Sequence, residues 1–138
     1  MTAFFKSLMH NNKLNLLLFF TSLLFCGALF AEESSTPTVD VTFKKSGKSV
    51  IYTITYGKNT KFNDNEAAPY KFLFLDSEKK ELGKIERAFF AKNKEGKAVY
   101  TSDFGEYSAK IVLPVCLYNE KTGLAEKCTI KNLKLEIK

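Results

Sequence analysis

From Val39 onward the sequence is cut into short runs of β-branched and aromatic residues, each closed by a turn signal. "SVIYTITY" (49–56) is the clearest. Its alternation puts Val50, Tyr52, Ile54 and Tyr56 on one face and Ile51, Thr53 and Thr55 on the other. Side chains alternate across a strand, so such a run suits a pleated surface with one buried side. Runs of this kind recur as "VDVTF", "YKFLFL", "AVYTS", "YSAKIVLPVCLY" and "KCTIKNLKLEIK". The text between them, such as "KKSGK", "DSEKK", "NKEGK" and "DFGE", is turn-like.

About seven or eight short strands at regular spacing predict an all-β fold, an immunoglobulin-like antiparallel sandwich over residues 39–138. The more apolar face of "SVIYTITY" is expected to point inward. "ELGKIERAFFAK" (81–92) reads as extended, given Gly83 and the Phe89–Phe90 pair. Pro114 inside the longest strand predicts an edge position or a bulge, because proline donates no ladder hydrogen bond. "GKNTKFNDNEAAP" (57–69) reads as a long loop with Phe62 exposed in its middle.

The first 31 residues are of another kind. "MTAFFKSLMHNNK" carries Lys6, His10 and Lys13 and no acid, and an apolar run from Leu14 to Ala31 follows. A basic start, an apolar middle and a small residue before polar text predict a signal peptide at 1–31, cut after Ala31. Residues 32–38 then form a flexible lead-in. The expected location is periplasmic or secreted. Retention of the apolar run as an anchor and lipidation at Cys26 are the alternatives. They give the only membrane attachment that the sequence predicts.

Removal of the leader takes away Lys6 and Lys13 and lowers the net charge from +6 to +4. It also removes the only histidine and both methionines, and the chain has no tryptophan. Ser-His-Asp and Cys-His nucleophilic sites are thereby excluded, as are histidine-containing zinc sites and blue-copper ligand sets. Arg87 is the only arginine. Bidentate phosphate and base recognition favours arginine, so no nucleic-acid partner is expected. The acids of "DSEKKE" and "DFGE" sit in turns and read as solvated. No metal site and no cofactor are expected.

Cys116 and Cys128 remain for chemistry. An exported domain with two cysteines is expected to join them. If Lys121-Thr122-Gly123 forms a three-residue hairpin loop, with Gly123 left-handed, outward pairing sets Tyr118 opposite Glu126 and Cys116 opposite Cys128. Two readings follow from that geometry. A bridge closing so short a loop stabilises a small domain by roughly 3 kcal/mol and needs no further purpose. An accessible bridge also suits thiol–disulfide exchange. Lys127 would favour a thiolate at Cys128, and Glu126 would oppose it. The spacing is not Cys-x-x-Cys, so an independent oxidoreductase is not expected.

"GEYSAKIVLPVCLYNEKTGLAEKCTIKNLKLEI" is similar to the end of the N-terminal periplasmic domain of the thiol:disulfide interchange protein DsbD. There, a strand leads into a first cysteine, a polar turn follows, and a second cysteine opens the last strand. "NDNEAAPYKFLFL" resembles an upstream stretch of small DsbD-N-like proteins. The resemblance implies an immunoglobulin-like fold and a redox pair at Cys116 and Cys128 under a cap loop, with Phe62 as the cap candidate. It also implies a thioredoxin-like or membrane thiol-redox protein as partner. The chain departs from the family in placing eleven residues between the cysteines, more than is usual there. The second functional reading is a non-catalytic immunoglobulin-like binding module whose disulfide is purely structural.

Overall fold

The computed structural model describes residues 35–138. The expected signal peptide, Cys26 and residues 32–34 lie outside the described residues. Eight strands and one short helix follow in the order β1 (Val39–Ser46), β2 (Ser49–Tyr56), β3 (Thr60–Phe62), β4 (Lys71–Leu75), β5 (Glu81–Lys84), α1 (Arg87–Lys92), β6 (Lys97–Ser102), β7 (Ser108–Tyr118) and β8 (Ala125–Glu136). Strands β1, β2 and β6 form one sheet, and β3, β4, β5, β7 and β8 form the other. Every pairing is antiparallel. The fold is the expected all-β sandwich.

Strand β7 is the spine of the larger sheet. β8 pairs with it from Ser108 to Tyr118. On its other side β4 covers Ser108–Val112 and β3 covers Val115–Leu117. Strands β3 and β4 are therefore two halves of one line, interrupted by residues 63–70. Pro114 faces this interruption, where its carbonyl accepts a hydrogen bond from the Asn63 N–H at 2.9 Å. In an antiparallel strand the N–H and C=O of one residue point to the same side, so the donor that proline lacks would have faced a gap in the ladder. The expected edge position is thus corrected. Pro114 lies in the central strand, at the one place where the neighbouring strand is broken.

The expected inward face of β2 is observed. Val50, Tyr52, Ile54 and Tyr56 of β2 are buried, as are Phe72 and Phe74 of β4. Aromatic rings run the length of the core. Phe62 meets Phe90 at 5.5 Å between centroids, Phe90 meets Phe72 at 5.9 Å, Phe72 meets Tyr52 at 5.4 Å and Tyr52 meets Phe74 at 5.3 Å. One polar cluster is enclosed with them. Glu106 is buried and accepts hydrogen bonds from the Tyr52 hydroxyl at 2.6 Å and the Ser102 hydroxyl at 3.0 Å. Burial, and then the neighbouring Glu106 carboxylate, hold the Tyr52 hydroxyl far above its ordinary pKa.

One expectation fails locally. "ELGKIERAFFAK" is extended only through Lys84, and Arg87–Lys92 is helical. An extended chain would send Phe89 and Phe90 to opposite faces. The helical turn instead seats Phe90 against Phe62, Tyr70 and Phe72, and sets Phe89 against Tyr100 at 5.3 Å. The lead-in is tied down at its end. Pro37 is buried, the Thr38 N–H donates to the Thr60 hydroxyl at 3.2 Å and the Thr38 carbonyl accepts from the Gly57 N–H at 2.8 Å. A Cβ on Gly57 would lie 1.8 Å from the Thr38 hydroxyl, which is why glycine stands there.

Candidate functional site

Alternation along β7 decides which chemistry is accessible. Ala109, Ile111, Leu113 and Val115 enter the core. Lys110, Val112, Pro114, Cys116 and Tyr118 therefore lie on the outer face of the sheet. Cys116 stands directly opposite Cys128 of β8, and the two are joined as a disulfide with Cα atoms 4.0 Å apart. Cys116 shares the hydrogen-bonding side of Pro114, two residues away, so its backbone groups point towards β3. Cys116 and Cys128 are thus a non-hydrogen-bonded pair, the type in which facing side chains lie closest.

The register was expected, but the hairpin that produces it was not. Asn119 and Leu124 close a four-residue loop through the Asn119 N–H and the Leu124 carbonyl at 2.9 Å. Gly123 takes φ 69°, and its N–H donates to the Asn119 carbonyl at 2.8 Å. The Asn119 side-chain oxygen accepts from the N–H groups of Lys121 and Thr122. Tyr118 consequently faces Ala125 rather than Glu126. An irregularity between Leu117 and Tyr118 then restores the register at the cysteines. The longer loop and the irregularity cancel.

The two cysteines differ in exposure. Cys116 is only 2% exposed, whereas Cys128 on the edge strand is exposed. The residue paired with Cys116 on β3 is Lys61. It faces Cys116 across the β3–β7 ladder, and its alternation with buried Thr60 and Phe62 puts it on the same outer face. Its ammonium lies 3.1 Å from Glu95 and 5.4 Å from the centre of the Tyr118 ring. Lys127, expected to matter through its proximity in sequence, points to the opposite face from Cys128, as successive strand residues must. Glu126 accepts a hydrogen bond from the Asn119 amide at 2.6 Å. Glu120 is held by the Asn59 amide at 3.0 Å and by Lys58 at 3.3 Å. Those bonds, Asn59 first, keep its carboxyl below the ordinary range. Both acids brace the hairpin.

Phe62 is not over the disulfide. It belongs to β3, is 1% exposed and packs in the core against Tyr70 and Phe90. Its neighbour Lys61 takes the outward position. The loop that follows is clamped by Arg87, whose guanidinium donates to the carbonyls of Ala68 at 2.9 Å, Asn63 at 3.1 Å and Asn65. The side-chain oxygens of Asn63 and Asn65 accept from backbone N–H groups within the loop. Among the described residues no cluster of three or more His, Cys, Asp or Glu side chains is assembled.

Sequence reasoning identified the cysteines and missed Lys61. The signal was the alternation Thr60-Lys61-Phe62, hidden in text rich in loop-forming residues. No protein-family model, curated protein or solved structure matches the chain.

Proposed function

We propose that this chain is an exported thiol–disulfide relay of the DsbD N-terminal kind, with Cys116 and Cys128 as its exchanging pair. The resemblance of the C-terminal third supports the reading. The observation that carries it is the inequality of the two cysteines: one an exposed residue on an edge strand, the other a buried residue paired in register with a lysine. An incoming protein thiolate attacks the Cys128 Sγ. The Cys116–Cys128 bond breaks, and Cys116 leaves as a thiolate on the side of Lys61, where a cation favours the charged form. A second thiolate of the donor then attacks the mixed disulfide and releases Cys128. Two electrons enter the pair, the donor dithiol becomes a disulfide, and its two protons go to the chain's thiols or to water. Oxidation by an acceptor disulfide is the reverse.

The alternative is a binding module with a structural bridge. It is favoured by the way Asn59, Lys58 and Asn119 already brace the same hairpin. Trapping separates the two. In the full chain carrying Cys26→Ser, the free Cys128 thiol left when Cys116 is replaced by serine attacks the disulfide form of a thioredoxin-like protein, so a relay accumulates the mixed disulfide as the partner's second sulfur leaves as a thiolate. It accumulates far fewer when Cys128 is replaced. Equal trapping by both variants, or none, contradicts the proposal.

A further inference from the structure

On the outer face of the larger sheet, one row of register partners runs Lys84, Leu73, Lys110 and Lys134 across β5, β4, β7 and β8. Lys110 and Lys134 are directly opposite, an arrangement that destabilises a sheet. Lys84 is relieved by Glu86 at 3.2 Å and Lys134 by Glu136 at 3.0 Å. Lys110, Lys71 and Lys79 have no ion-pair partner among the described residues. These lysines rim an open groove of ≈ 660 Å³ whose floor includes the half-buried side chains of Leu73, Leu75 and Val112. Glu81 is the acid of its lining.

We propose that this groove docks an acidic amphipathic helix of a partner protein. Four strands span roughly 14 Å between the outer two, and a helix with its side chains is about 10–12 Å across. The apolar stripe of such a helix covers Leu73, Leu75 and Val112, and its flanking carboxylates meet Lys71, Lys110 and Lys79. The shape favours a protein over an anionic membrane. The apolar groups form the floor of a concavity, where a flat bilayer does not reach, whereas a convex helix does. The lysines are spread along the rim rather than gathered at one point, which fits a row of carboxylates better than a single small anion. Val112 and Cys116 lie on the same face, roughly 13 Å apart along β7, so a docked partner stands beside the disulfide. The inference does not require that the disulfide exchange.

The test uses the full chain with Cys26→Ser, held in detergent-free nanodiscs of neutral lipid. The probes are a helical peptide of leucine and glutamate, its leucine–lysine counterpart, and phosphatidylglycerol vesicles. Binding is read by fluorescence anisotropy and by amide shifts. The glutamate peptide binds at least about tenfold more tightly than the lysine peptide, weakens with salt and shifts the amides of β4 and β7 around Leu73 and Val112. Lys71→Glu with Lys110→Glu removes about tenfold or more of that affinity. Lys110→Met, which keeps the sheet free of new charge, gives a smaller loss. Equal binding of both peptides, shifts confined to other surfaces, or binding to the vesicles without binding to the glutamate peptide overturns the inference.

Discussion

The two faces of β7 are made by alternate residues of one strand, and they do different work. Its core face, from Ala109 to Val115, is sealed by aromatic rings and aliphatic side chains. Its outer face carries Lys110, which has no ion-pair partner among the described residues, a half-buried apolar floor and a disulfide that joins buried Cys116 to exposed Cys128. The aromatic core lies on one side of a single sheet, and the proposed exchange would take place on the other. The backbone fixes both, and a substitution on one face is expected to spare the other. Perturbations should therefore separate cleanly.

The largest effect belongs to the core face. Phe72→Ala removes a ring that contacts Tyr52, Phe74 and Phe90, and it should cost about 3–5 kcal/mol in denaturant unfolding. The exchange rate of the molecules that remain folded should not change. A smaller loss is expected at the end of the same core. Glu106→Ala deprives the Tyr52 and Ser102 hydroxyls of their acceptor. Leaving a buried donor unpaired costs about 1–3 kcal/mol, again without effect on exchange.

The outer face gives the inverse pattern. Lys61 is about one third exposed and its pair with Glu95 is solvated, so Lys61→Met should change unfolding by less than about 0.5 kcal/mol. It should nevertheless slow alkylation of reduced Cys116 at neutral pH, and Lys61→Arg should restore the rate. A loss of stability with unchanged alkylation would erase the distinction between the faces.

Much of this architecture is legible in the sequence because burial on a strand has a local signature. The two-residue period of "SVIYTITY" names the inward residues without knowledge of their neighbours. The cysteine register is legible for the same reason, since a hairpin is a local object. Its two compensating irregularities were not, because they depend on how Asn119 spends its side-chain oxygen. What stayed hidden is non-local. Three residues of β3 read as loop, and only their pairing with β7 makes them a strand. Pro114 looks like an edge signal until the break between β3 and β4 is seen beside it. The helix at Arg87–Lys92 is too short to show a period, and it forms because tertiary packing seats Phe90. Lys61 becomes part of the site only through cross-strand register, for which the sequence carries no mark.

A relay requires that the Cys116–Cys128 bond open under conditions where the fold survives. The direct measurement is its reduction potential, by thiol trapping of the full chain with Cys26→Ser in graded glutathione and dithiothreitol buffers. A relay predicts a value between about −250 and −180 mV with the sandwich intact after reduction. A value below about −300 mV would mark an inert bridge and contradict the relay.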